Sequence, residues 1–210
     1  MNAQQSRTRN SAWQGRADAP RAPGPQAGTV PGAALEIRDA RTGDVPAIVD
    51  VVQAAYRGEG GWTTEAHLVR GARADEAEVR TMLSDPAVTL LVAEADGQLV
   101  GCCYTRTENG SATGSEQLSR AELGLFAVHP SAQGQGLGGR LLEAQAALLA
   151  NAGVAVLVIQ VLQERPELHA WYERHGFVRT GTAVPFPGDP DDLAVQDLEM
   201  DVMERPLPKR

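Results

Sequence analysis

Residues 128–142 read VHPSAQGQGLGGRLL, with four glycines and two glutamines between an apolar run and a helical pattern. Glycines let backbone N–H groups come close to a ligand, and a helix starting in such a loop adds unbonded N–H groups and a positive dipole end. The ligand of such a loop is an anion. Three uses compete. A nucleotide phosphate loop needs a lysine followed by Ser or Thr, and here Arg140, Leu141 and Leu142 stand instead. A dinucleotide-binding turn needs its own glycine spacing and an acid about twenty residues on. The run from Gly134 to Gly138 lacks that spacing, and Gln160 to Gln163 occupy the region of the acid. A pyrophosphate held by backbone amides alone fits best.

Other chemistry is sparse. Cys102 and Cys103 are adjacent in an apolar run, and neighbours on a strand point to opposite faces, so they do not bridge each other. His67, His129, His169 and His175 form no metal-ligand spacing with nearby acids, so no metal is expected. His129 and the cysteines read as structural, because a reactive thiol needs an electropositive, partly exposed place. The cysteine usage suits a reducing, cytoplasmic setting. The chain has 210 residues, a net charge of −8 and a pI near 5.0. That balance argues against nucleic-acid binding, which needs a basic stripe. It is compatible with a cationic small substrate. No apolar run approaches a membrane span, and the N-terminus lacks a signal-peptide core, so no membrane partner is expected.

The elements that must hold these residues alternate. Residues 1–33 are rich in Pro, Gly, Ala, Ser and Gln, with Trp13 the one large apolar side chain. Such a segment cannot offset its ordering entropy and reads as a disordered tail, leaving a domain over 34–210. From Leu35 a strand leads to a helix that Asp44 caps and that runs to about Arg57. A glycine-bracketed connection containing Trp62 follows, then a charged helix from Asp75 to about Leu83. Two strands meet at Asp96-Gly97, a hairpin pair. A third apolar run, AELGLFAV, leads into the glycine loop and a helix from about Gly138 to Asn151. The run VAVLVIQVL reads as a strand covered on both faces. The short helix PELHAWYERHG follows, then two strands, FVRTGTAVPF and LAVQDLEMDVME. The order β-α-α-β-β-β-α-β-α-β-β is mixed α/β, with an antiparallel start and a helical crossover late on.

Gln133-Gly134-Gln135-Gly136-Leu137-Gly138 matches the Gln/Arg-x-x-Gly-x-Gly/Ala motif of the GNAT superfamily of N-acetyltransferases. AELGLFAVHP looks like that family's fourth strand, and HAWYERHGF resembles its later Tyr-x-x-x-Gly-Phe segment. The resemblance covers roughly Leu35 to Glu204. It implies an α/β GNAT fold, a mixed central sheet of about seven strands with flanking helices. It also implies acetyl-CoA as cosubstrate. In relatives the pantetheine arm bonds to the fourth strand, which points to the main chain of Phe126, Ala127 and Val128. The pyrophosphate would lie on the amides of Gln133, Gly134, Gln135, Gly136, Leu137, Gly138 and Gly139.

The resemblance further implies transfer of an acetyl group to a primary amine by direct attack in a ternary complex. Glu122 aligns with the general base of some relatives; as a bare residue it also reads as a solvated strand-end carboxylate. Tyr172 occupies the position of the general acid, and also reads as a packing aromatic beside Trp171 and Phe177. A backbone N–H near Leu125 or Phe126 would meet the oxyanion. Trp62 and Phe186, the latter beside Pro185, fall in segments that wall the acceptor site in relatives. Trp62 also reads as a core anchor. Glu59 and Glu65 nearby suit an ammonium group or plain solvation. Many relatives carry an asparagine seven residues before the tyrosine and an alanine four before it. Here Arg165 and Leu168 stand there, so a carboxylate or phosphate becomes the expected partner of Arg165. A non-catalytic acyl-CoA-binding module is the alternative reading. The acceptor, a small molecule or peptide amine, is not legible, and a homodimer stays open.

Overall fold

The computed structural model describes residues 35–58, 62, 64, 65, 67–108, 119–187, 193–195 and 197–208. The expectation for residues 1–33 and the reading of Glu59 lie outside them. All described elements belong to the compact unit Ala33–Arg210.

Seven strands form one mixed sheet flanked by four helices. The strands are β1 (Glu36–Asp39), β2 (Val88–Ala95), β3 (Gln98–Glu108), β4 (Arg120–Val128), β5 (Val156–Leu162), β6 (Val178–Pro185) and β7 (Glu199–Pro206). The helices are α1 (Val45–Arg57), α2 (Glu76–Ser84), α3 (Leu137–Asn151) and α4 (Pro166–Arg174). Across the sheet the order is β1-β2-β3-β4-β5-β7-β6. All neighbours are antiparallel except β4 and β5. These two are joined through α3, the expected crossover.

Local chemistry accounts for most boundaries. Asp96 and Gly97 both have positive φ, +51° and +76°, as a two-residue hairpin turn with inverted twist requires. Asp75 caps α2, accepting from the Glu78 N–H at 2.8 Å while Glu78 reaches back to the Asp75 N–H at 3.2 Å. Asp44 does not cap α1 as the sequence suggests. Its carboxylate accepts from the Arg41 N–H at 2.7 Å and from both terminal nitrogens of Arg38, which hold it below its usual pKa. The last strand, β7, begins later than the run LAVQDLEMDVME suggests. Leu193 makes only an isolated bridge to Val69, and pairing with β5 starts at Met200.

Each face of the sheet has its own apolar layer. Val45, Ile48, Val52 and Ala55 follow helical spacing on α1 and pack against Leu90, Val92 and Cys102. On the other face Leu141, Leu142 and Leu149 of α3 pack against Leu91, Cys103 and Leu157. The two free cysteines thus face opposite layers and are buried, which pushes the Cys102 thiol up to about 12.

Two irregularities shape the site. Strand β4 pairs with β5 only from Arg120 to Glu122, against Val156 to Val158. Beyond Glu122 no pairing joins them. The register of β3 on β4 also slips, with Cys102 opposite Ala127 but Tyr104 opposite Gly124. The extra residue makes a bulge at Leu125, whose φ is +44°. The bulge exchanges the faces of β4: Ala121 and Leu123 point into the α3 layer, Leu125 and Ala127 into the α1 layer. Glu122 and Phe126 are thereby turned to opposite sides of one gap.

Candidate active site

A cleft of about 830 Å³ runs from the glycine loop, along the open edge of β4, to the segments around Trp62 and Phe186. At its first end a single 3₁₀ turn, Pro130–Ala132, leads into the loop, and the Gln133 N–H closes that turn on Pro130 O at 3.3 Å. Of the expected amide donors, Gln133 is therefore already engaged. Gly134 and Gly136 have φ of +77° and +75°, with nothing within 4 Å of where a Cβ would stand. Their glycine is demanded by backbone conformation. Gly138 and Gly139 serve another purpose. A Cβ on them would lie 3.4 Å from Trp171 Cζ2 and 3.2 Å from His175 Nε2, so they let α4 approach. The first regular helical bond here is Arg140 N–H to Gly136 O. The N–H groups of Leu137, Gly138 and Gly139 stand in the first turn of α3, with no carbonyl one turn behind them.

Gln133 also acts through its side chain. Its Nε2 donates to Val128 O at 2.9 Å, and its Oε1 accepts the Trp62 N–H at 2.8 Å. This one side chain stitches the loop to the end of β4 and to the segment of Trp62. The main-chain groups of β4 alternate in direction. His129 donates to Val100 O and Ala127 pairs with Cys102, so Ala127 and His129 address β3. Phe126 and Val128 are the two of the expected trio that address the gap. The Phe126 carbonyl accepts from Tyr56 Oη at 2.9 Å, a tie between α1 and the bulge.

Glu122 lies on β4 where β4 and β5 part. It is half-buried, and burial first, then repulsion from Glu108, holds its carboxyl above its usual pKa against the attraction of Arg106. Gln160 Nε2, from β5, lies 3.4 Å from Glu122 Oε1. Tyr104 lies over Gly124: a Cβ there would come within 2.4 Å of the ring. Burial first, and then the Glu122 charge, raises the pKa of the Tyr104 hydroxyl.

Tyr172 is 6 % exposed and lines the cleft from α4. Its ring sits edge-on to Phe177 and Trp171, at 5.3 and 4.9 Å between centroids, and 6.4 Å from Phe126. Its hydroxyl has no hydrogen-bond partner among the described residues. Burial raises its pKa well above the usual value, so it keeps its proton at neutral pH and is available as a proton donor.

Trp62 is 45 % exposed, so it is a cleft wall and not a core anchor. Its segment is held by Arg165, only 4 % exposed, which donates to Trp62 O at 2.7 Å and Thr64 O at 3.0 Å and pairs with Glu167. The expected carboxylate partner of Arg165 is thus Glu167, and the carbonyls were not foreseen. Glu65 is 8 % exposed, its carboxylate 4.0 Å from Arg57, and burial outweighs the neighbouring arginines to raise its pKa. Opposite, Phe186 packs with Leu68, Leu162 and Met200. Leu168 lines the cleft from α4. His129 accepts from the Ser131 N–H and caps the 3₁₀ turn, a structural task.

Among the described residues no His, Cys, Asp and Glu cluster could hold a metal ion, and no helix is long and apolar enough to cross a membrane. Sequence reasoning missed Tyr56, Tyr104, Gln160 and Arg73, which reach the cleft from elements distant along the chain.

The family model of the acetyltransferase (GNAT) domain matches residues 86–179, from the start of β2 into β6. The structure of the ribosomal-protein-S18-alanine N-acetyltransferase from Escherichia coli superposes with a TM-score of 0.60. At 21 % identity, it covers 84 % of this chain and 96 % of that one, a likeness of fold. Residues 86–179 thus carry the acetyltransferase (GNAT) domain. Mycothiol acetyltransferase of Cellulomonas flavigena is 31 % identical over 130 residues, which are 60 % of this chain and 37 % of that protein. The enzyme of the same name from Clavibacter michiganensis subsp. michiganensis is 33 % identical over 93 residues, 44 % of this chain and 28 % of that protein. The chain therefore spans about a third of the length of the curated relatives it matches.

Proposed function

We propose that the protein is an acetyl-CoA-dependent N-acetyltransferase acting on a primary amine of a small molecule or peptide by direct attack in a ternary complex. The observation that carries this reading is the single cleft connecting the first turn of α3 with Glu122 and Tyr172. Left-handed glycines expose amides where a pyrophosphate would lie, and the gap between β4 and β5 admits an extended arm beside Phe126 and Val128. Glu122 takes a proton from the attacking amine, and its raised pKa makes it a stronger base than an exposed carboxylate. A backbone N–H near Leu125 or Phe126 would meet the developing oxyanion. Tyr172 gives its proton to the sulfur as the C–S bond breaks, and solvent returns a proton from Glu122 to Tyr172. Trp62 and Phe186 wall the acceptor end. Free, buried cysteines fit a reducing compartment, the cytoplasm. A screen of primary amines with acetyl-CoA, following release of free thiol, tests the reading. Tight coenzyme A binding without turnover of any amine would favour a non-catalytic acyl-CoA-binding module.

Two expected results belong with it. We take residues 34–210 as the catalytic domain and 1–33 as a dispensable tail. A chain beginning at Ala34 is expected to keep its melting temperature and coenzyme A affinity; a loss of more than about 4 °C, near 1 kcal/mol for this size, would move the boundary.

The second concerns pH. A carboxyl whose pKa is raised on folding binds its proton more tightly in the folded than in the unfolded state. Its stabilising contribution is complete below the usual value of 4.5 and is lost as pH rises through the folded pKa. Glu122→Gln removes that loss. The variant is expected to melt about 1–2 °C above the wild type at pH 7.5. The gap should close at pH 4, as thermal melts at the two pH values will show. An equal gap at both would mean that the Glu122 pKa is not raised.

A further inference from the structure

Among the described residues Arg73 is the one cation in the cleft lining. Its Nε is fully buried without a hydrogen-bond partner, and its guanidinium forms no ion pair with a described residue. The neighbouring arginines are occupied: Arg57 donates to Gly71 O at 2.7 Å and lies against Glu65, and Arg165 holds the Trp62 segment. Arg73 is also firmly placed. Gln53 of α1 accepts the Arg73 N–H at 3.3 Å and donates to Ala74 O at 2.9 Å, clamping the backbone on both sides. The guanidinium carbon rests 5.1 Å above the Tyr56 ring, the same Tyr56 whose hydroxyl ties α1 to Phe126.

A half-buried arginine whose Nε is sealed from solvent without a partner is costly unless something meets it. Glu65 feels the charge of Arg73 more than that of Arg165 or Arg57, yet its carboxylate is not within ion-pair distance of Arg73 and lies 4.0 Å from Arg57. The charges that Tyr104 feels locate Arg73 relative to the chemistry. Glu122 and Arg73 both act on the Tyr104 hydroxyl, in opposite senses, together with Arg106 and Glu78. Glu78 is spent on the α2 cap. Around Tyr104 the acceptor end therefore offers one carboxylate for an amine and one unpaired guanidinium.

We propose that Arg73 is a specificity residue that receives a carboxylate of the acceptor, so that the substrate class is small amines bearing a carboxylate, free amino acids foremost. The inference rests on the N-acetyltransferase reading above. The amine turns to Glu122 and the carboxylate to Arg73, where the planar fork matches both oxygens. A polyamine would instead bring a second cation against Arg73.

The test compares matched pairs: free amino acids and their primary carboxamides, with spermidine as a carboxylate-free amine. Acetyl-CoA consumption is followed for the full chain and for Arg73→Gln and Arg73→Lys, with coenzyme A affinity and melting temperature measured beside it. Hydrogen bonds to a charged group correspond to about tenfold to a hundredfold in kcat/KM. The wild type is expected to favour the acid over its amide by that factor, and the ratio is expected to fall to near one in Arg73→Gln. Arg73→Lys should restore part of the ratio, because charge returns without the fork. Folding defects lower both members of a pair and leave the ratio unmoved. Acid and amide used equally by the wild type, or spermidine used while no amino acid is, would overturn the inference and leave the N-acetyltransferase reading standing. Coenzyme A bound with no amine of any kind acetylated would overturn both.

Discussion

Replacing Tyr172 with phenylalanine is expected to lower kcat by about a hundredfold to ten-thousandfold while coenzyme A affinity stays nearly intact. The size follows from the task proposed for the hydroxyl, protonation of the departing sulfur. A thiolate released into a cleft walled by Phe126, Trp171 and Leu162 is poorly solvated, so its charge must be met as it forms. The variant is a clean one. The Tyr172 hydroxyl bonds to no described residue, so its loss orphans no partner, and a phenylalanine ring keeps the edge contacts to Phe177 and Trp171. Melting temperature should hardly move. Glu122→Gln is expected to act differently, with its loss of rate greatest at lower pH, where few acceptor molecules are already neutral. Raising the pH should partly rescue it. A pure packing role for Tyr172 and a solvated role for Glu122 predict rates that follow the folded fraction. Rates within about threefold of wild type for both, with an acceptor in hand, would remove both from the chemistry, and the assignment of acid and base would then have no support.

Much of this arrangement could be read from residue order because it depends on local rules. Asp96-Gly97 specifies its turn through two left-handed residues, and the glycine loop announces itself by what side chains would forbid. The apolar run of β5, interrupted at Gln160, follows from its two covered faces. What sequence reading lost depends on register or on distance. The bulge at Leu125 is a slip between β3 and β4, and no residue type in AELGLFAV encodes it. Without that slip Glu122 and Phe126 would share a face of the strand, and the proposed base would point to the side where the cofactor arm is proposed to pass. Arg165 and the carbonyls of Trp62 and Thr64 lie about a hundred positions apart, so only the fold brings them together. Asp44 shows the reverse error. A good capping residue met a stronger partner, since the Arg38 guanidinium takes both carboxylate oxygens and a charged pair outcompetes a neutral N–H.

The glycine loop gives the other large expected effect, and the structure changes why it should occur. Gly136→Val is expected to weaken acetyl-CoA binding by roughly 2 kcal/mol or more, about thirtyfold in Kd. A Cβ at this position meets no protein atom within 4 Å, so no clash inside the protein disturbs the fold. Two other costs arise. A β-branched residue at φ near +75° is strained by about 1–3 kcal/mol, which the loop relieves by turning its amides away. Whatever of the valine remains in place stands in the open space where the anion would approach. Strain and occlusion can be separated with Gly153, which ends α3 with φ of +78° and equally open surroundings at the far end of the helix. Gly153→Val carries the same backbone strain, so both variants should lose similar melting temperature. Only Gly136→Val should lose affinity, as calorimetry with acetyl-CoA on folded protein would show. Equal affinities in the two variants would take the first turn of α3 out of the binding site.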